Sequence, residues 1–178
     1  MSDKIEKIKS AVKEYCFGDD YNYHTILVVR YALLLADKLK ADKETVELAA
    51  WLHDIGVKDH DDIHEKVGAE RAAKILKELG YSDKVIERVK ECIMTHRTRG
   101  EPKTTEAEII RNADAMAHIE CLPFLIKVGL EREGNLTDAI TWAKKKLDKA
   151  DIKLTLPLAR QLIKDKYDAA RLLLRNLQ

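Results

Sequence analysis

Four polar residues stand where the surrounding pattern calls for apolar ones. His24 falls on a helical stripe with Val28, Tyr31, Leu35 and Leu39, and the doublet His53-Asp54 closes the run Leu48-Ala49-Ala50-Trp51-Leu52. Asp114 is flanked by Ala113, Ala115 and Ala117. A carboxylate buried alone costs several kcal/mol unless a cation or hydrogen-bond donors meet it. Each residue has a plain explanation by itself: a hydrogen-bonded core histidine, or an Asp114 paired with Arg111 three positions earlier. Four such residues on three separate helices would need four independent satisfactions. One shared partner is the simpler account, and two imidazoles with two carboxylates form the mixed N/O set that suits Mn, Fe, Co, Ni or Zn.

These residues must be carried by helices, because the chain is lightly punctuated. It has 178 residues with only seven Gly and three Pro, and 3.6-residue periodicity fills the intervals. Helices are expected over 3–15, from an Asn22 cap to about Lys40, and from Asp42 to a C-terminal cap at Gly56. Further helices are expected over His64 to Leu79, from Ser82 to about His96, and from Thr105 to about Cys121, where Pro123 interrupts the pattern. Segments 124–134, 136–149 and 157–176 follow. No strand or hairpin signal appears. The expectation is one all-α domain over 1–178, a compact bundle of about eight or nine helices, with its motif-bearing core at about 20–120 and the C-terminal helices of 121–178 packed on it.

Composition narrows the class. Lys and Arg number 32 against 31 Asp and Glu, a net charge of +1, which argues against a nucleic-acid binder. No stretch reaches the ~18 apolar residues of a membrane span, and the N-terminus MSDKIEKIKSAVKEY lacks the apolar segment of a secretory signal. Cys16, Cys92 and Cys121 are few, odd in number and far apart, so they read as reduced thiols of a cytoplasmic protein.

The order H…HD…D resembles the HD-domain metal-dependent phosphohydrolases. The likeness extends through YHTILVVRYALLLADKL, ELAAWLHDIG and IIRNADAMAHI, from about residue 20 to 120. It implies that His24, His53, Asp54 and Asp114 bind a divalent cation (Mn, Fe, Co, Ni, Zn or Mg). That ion would polarise a phosphoryl oxygen and lower the pKa of a bound water from ~15.7 to about 7. Asp54 then has a second expected role, orienting the water. Two-metal members add histidines from the next helices, which makes His64 and His96 candidates for a second cation or for contact with the substrate phosphate. His118, one turn beyond Asp114, either orients it or packs, and His60 lies in the acidic loop DHDDIHE.

Phosphoryl transfer also needs cations for the equatorial oxygens. By position the candidates are Lys58, taken as catalytic, with Arg97 and Arg111 for the phosphate. The cyclic-dinucleotide hydrolases carry HDIGK and a Gly-Tyr-Pro motif. This chain reads HDIGVK and lacks the second motif, and the Glu-Asp pair of guanosine tetraphosphate hydrolases is also missing. The expected activity is hydrolysis of a small phosphate ester, a nucleotide or related phosphomonoester or diphosphate, by a monomer or homodimer. Two alternatives remain: a di-iron oxygenase on the same fold, and a non-catalytic nucleotide-binding module with a structural metal.

Overall fold

The computed structural model describes residues 2–16, 18–58 and 61–175. Among them are ten α-helical segments and no strand. The segments are α1 (Ser2–Tyr15), α2 (Gly18–Asp20), α3 (Ile26–Leu39), α4 (Lys43–Leu52), α5 (His64–Glu78), α6 (Asp83–Thr95), α7 (Thr105–Glu120), α8 (Leu122–Glu133), α9 (Leu136–Lys153) and α10 (Pro157–Arg175). Only α2 is shorter than ten residues, so the all-α expectation holds, with nine full helices.

Helix α7 is the axis of the bundle. Every residue from Ile109 to Ala117 is buried, and α3, α4, α6, α9 and α10 all pack on it. The alanines at 113, 115 and 117 leave room for neighbours to approach from several sides. Caps set the ends. Asp42 accepts from the backbone N–H of Glu44 and Thr45 at the start of α4, and Thr104 accepts from Ala107 N at the start of α7. Gly80 and Gly134 follow α5 and α8 with φ of +72° and +77°, a conformation that costs glycine little.

Four expectations about boundaries are corrected. Asn22 does not cap the second helix. Residues 21–25 form a π-turn in which the N–H of Ile26 bonds to the carbonyl of Tyr21, and helical backbone continues back to Gly18. Gly56 does not cap α4 either, since that helix stops at Leu52 and 53–58 form successive turns. The expected break before Pro123 is present, but α8 starts at Leu122 rather than 124, because its first turn needs no N–H from Pro123. Finally, α9 runs to Lys153, one turn past the expected end at 149.

The C-terminal helix is tied down by a charged cluster. Glu120 at the end of α7 accepts from Lys166 Nζ of α10 at 2.6 Å, from Arg30 of α3, and from the Tyr31 hydroxyl. Burial pushes the Glu120 carboxyl up, but these three donors outweigh it and bring its pKa to about 2. A carboxylate depressed on folding contributes stability above its unfolded pKa and loses it as pH falls through the folded one. Glu120 should therefore contribute ~2 kcal/mol at neutral pH, allowing for screening of the half-exposed Lys166 and Arg30, and lose it between about pH 4.5 and 2. In urea titrations across that range, Glu120→Gln should flatten the fall in stability that the wild type shows.

Candidate metal centre

The π-turn has a direct consequence. By fitting an extra residue into the turn, it aims His24 at the bundle interior from just before α3; π-turns recur at functional sites for this reason. There the His24 Nε2 lies 3.2 Å from His53 Nε2, 3.2 Å from Asp114 Oδ1 and 3.5 Å from Asp54 Oδ2. His53, fully buried at the end of α4, has its Nε2 3.3 Å from the same Asp54 oxygen. A second group forms on the other side of Asp54, whose Oδ1 lies 3.2 Å from His64 Nε2 and 3.3 Å from His96 Nε2. These two ring nitrogens are 3.3 Å apart. In each of two triads, His24–His53–Asp114 and Asp54–His64–His96, the candidate ligand atoms lie within 4.8 Å of one another.

The donor chemistry fits cations. A carbonyl can only accept, so the bonds from His53 Nδ1 to Ala50 O (2.8 Å) and from His96 Nδ1 to Ile93 O (2.6 Å) place the ring protons on Nδ1. In the neutral rings, both Nε2 lone pairs then face the centre, the arrangement a metal-ligating histidine needs. Asp114 Oδ1 is buried with no hydrogen-bond donor. Electrostatics state the same demand. Burial opposes charge on His24, yet Asp54 raises its pKa to about 9, so without an ion a proton supplies the positive charge. Burial pushes Asp54 up, but His53, His24 and His64 hold it well below the carboxylate range. Burial also drives His96 down to about 4, which keeps it an unprotonated donor at neutral pH.

The turn after the doublet joins the two groups. Built at Gly56, a Cβ would lie 2.5 Å from the His64 carbonyl and 2.7 Å from Gly68 N, so only glycine lets the start of α5 come this close. Arg71 of α5 donates to Ile55 O at 2.6 Å and stacks on Tyr15. From the far side, Glu65 receives Arg97 Nη1 at 2.9 Å and a second bond from Arg99, which straps the loop after α6 onto α5. Against the upward push of burial, the two guanidiniums bring Glu65 to about 2.

The centre floors a cleft of about 1050 Å³ between the start of α3, the loop after α6, and the wall formed by α8 and α9. His24, Asp54, His64, His96 and Asp114 reach it. Lys58 is exposed at its lip, and Arg97 lines it while bonded to Glu65. Arg111 is turned elsewhere, donating to the carbonyls of Gly100 and Thr98, where it braces the loop rather than facing the cleft. His118 stacks on His24 with ring centroids 4.5 Å apart, and its Nδ1 is 3.3 Å from Asp114 Oδ1. Burial and the charge of His24 keep His118 neutral. His60 lies outside the described residues.

The sequence reading missed Lys153. It ends α9, is 5 % exposed, and its ammonium bonds to Asp114 Oδ2. Burial pulls the ammonium down to about 7 against the opposing charge of Asp54, and Arg111 and Arg97 add to the fall. A signal was present: Ala139, Ala143, Leu147 and Ala150 form the buried stripe of α9, and Lys153 continues it. The lysine-rich run KKKLDKADIK conceals that lone polar residue.

The HD-domain profile matches residues 21–118, and the chain belongs to the HD-domain family. Its fold is that of HD-superfamily hydrolases. Bacillus subtilis YpgQ superposes with a TM-score of 0.74 at 21 % identity, covering 99 % of this chain and 95 % of that one. The YpgQ structure in complex with ADP gives 0.72 at 22 % identity over 97 % and 94 %. An HD-superfamily hydrolase from an uncultured Thermotogales bacterium gives 0.67 at 22 % over 97 % and 90 %. Among curated proteins, ribonuclease Y of Fervidobacterium nodosum is 36 % identical over 104 residues, and that of Thermoanaerobacter pseudethanolicus is 38 % identical over the same length. Each match takes 57 % of this chain and 19 % of the relative, so the chain spans about a fifth of those proteins.

Two outcomes follow from the geometry. Loaded with Mn²⁺ and measured by elemental analysis, the wild type should hold two ions per chain, His64→Ala one, and Asp54→Ala none. A single ion that His64→Ala leaves in place would assign the outer histidines a different role. Gly56→Ala should lower stability by roughly 1–3 kcal/mol through overpacking, and it should cost the ion beside His64 before the one beside His24.

Proposed function

We propose that the chain is a metal-dependent phosphohydrolase that cleaves a small phosphate ester, a nucleotide or related phosphomonoester or diphosphate. The observation that carries this reading is Asp54, whose two oxygens face two separate histidine groups across 3.2–3.5 Å. That arrangement suits two adjacent cations better than a structural staple. Divalent ions there supply Lewis acidity, polarising a phosphoryl oxygen and acidifying water. The chain's own part is to fix this geometry. His53 and His96 are locked by their carbonyl partners, Asp54 holds the midpoint and accepts a hydrogen bond from the attacking water, and the buried walls exclude bulk solvent. Lys58 at the lip meets the outer part of the substrate, and Arg97, bonded to Glu65, holds the edge of the cleft in place.

Nucleotide as the substrate class is supported by the cleft volume and by the ADP complex of YpgQ. The ribonuclease Y relatives favour a second reading, in which the scissile group is a phosphodiester of single-stranded RNA. A cytoplasmic setting fits three buried thiols with no disulfide. Among the described residues no helix is long and apolar enough to cross a membrane.

The test is a screen of nucleoside mono-, di- and triphosphates, an aryl phosphate and short RNA, with Mn²⁺, Co²⁺, Ni²⁺ or Mg²⁺ added. Phosphate or nucleotide release should be metal-dependent. It should fall at least a thousandfold in Asp54→Ala, with helicity unchanged by circular dichroism. Activity that survives in this variant would defeat the proposal. Iron-bound protein that consumes oxygen and releases no phosphate would establish the oxygenase instead, and nucleotide binding without turnover would establish a regulatory module.

A further inference from the structure

The cleft has a wall that lies outside the matched HD segment, and Lys153 is the most deeply buried of that wall's charged residues. An ammonium this deep needs partners, and Asp114 Oδ2 uses one of its three N–H donors. The placement is built rather than incidental. Asn112, buried on α7 two residues before Asp114, spends both ends of its amide on the segment after Lys153. Its Nδ2 donates to Thr155 Oγ1 at 2.9 Å, and its Oδ1 accepts from Leu156 N at 3.0 Å. The Thr155 hydroxyl also bonds to Glu108 of α7. This clamp holds the end of α9 against α7 at the level of Asp114, so the ammonium cannot retreat to solvent as most lysines do.

We infer that Lys153 is a phosphate-binding residue of the cleft, whose ammonium takes a phosphoryl oxygen beside the cation site while it keeps Asp114 turned with Oδ1 toward that site. This rests on the reading of the cleft as a phosphohydrolase site. Two features carry it. Lys153 lines the cleft and bonds to a candidate metal ligand, so a group held at the cation site lies next to the ammonium. Arg97 and Arg99 are engaged with Glu65, Arg111 is engaged with loop carbonyls, and the cations of the facing wall, Lys127, Arg132, Lys146 and Lys149, are less buried than Lys153. Asp54 and Asp114 are balanced by the Lys153 ammonium and, without an ion, by the proton on His24; a divalent ion in place of that proton leaves the floor net positive. The sign then favours a phosphate anion only when metal is bound, and Lys153 lies at the point of contact.

The test uses Mn²⁺ and inorganic phosphate as probes, followed by calorimetry on the full chain and on Lys153→Met and Lys153→Gln. Gln keeps a donor for Asp114, so the experiment does not depend on the Met variant folding. Lys153→Gln, which keeps Asp114 turned, should bind Mn²⁺ at least as tightly as the wild type because a competing cation is gone, whereas Lys153→Met, which frees Asp114 to turn, should bind it less tightly. Their affinity for phosphate in the Mn²⁺-loaded state should fall at least tenfold. Unchanged phosphate affinity in either folded variant overturns the inference, as does a loss confined to Mn²⁺ binding. Lys153-dependent phosphate binding by a protein that hydrolyses nothing would keep the inference and defeat the hydrolase reading. Hydrolysis by a wild type whose variants bind phosphate normally would do the reverse.

Discussion

A carboxylate and a ring of imidazoles cannot be packed together inside a protein without something to balance them, and here the balance point is Asp54. It contacts four histidines, two through each oxygen, and those histidines arrive from the π-turn before α3, the end of α4, the start of α5 and the end of α6. None of these elements can shift by a turn without leaving a buried polar group unmet, at a cost of about 1–3 kcal/mol each. Much of the rest of the fold can be understood as scaffolding for that meeting. The alanine-rich α7 admits its neighbours closely, the contact between Gly56 and α5 brings the two histidine groups to one carboxylate, and the Glu65 strap fixes the loop beyond His96.

Much of this architecture was legible in the sequence because helical periodicity is a local signal. His24, His53, Asp54 and Asp114 stood out as polar residues on apolar faces, and the order of the helices followed from Gly, Pro and capping residues. What escaped depended on backbone detail or on distant packing. A π-turn has no distinctive composition, so Asn22 resembled an N-cap although it lies inside continuous helix. Gly56 resembled a terminator, yet its lack of a side chain serves a contact with residues 64 and 68. Arg111 lies one turn before Asp114, but its long side chain finds loop carbonyls nearer than any substrate. Lys153 was hidden by the lysines around it.

Two acidic clusters show how the same physics serves different ends. Glu120 and Glu65 are both drawn to about 2 by cationic partners, and both carboxylates join elements distant in sequence. Glu120 fastens α10 to the bundle on a partly exposed face, whereas Glu65 is itself buried and holds the cleft's edge. In the centre the sign reverses. There the carboxylates face imidazole nitrogens that a metal can share with them, so what fixes the periphery as salt bridges becomes ligation capacity inside.

The division between the matched segment and the cleft wall has an evolutionary consequence. Every candidate cation-binding side chain lies between residues 24 and 114, inside the HD segment, while the facing wall of α8 and α9 comes from beyond residue 118. Mutations in that wall can reshape what enters the cleft without disturbing the ligands on its floor. Descendants of one ancestral floor could therefore diversify their substrates by rebuilding a single hairpin of helices, provided that the last turn of α9 stays docked beside Asp114.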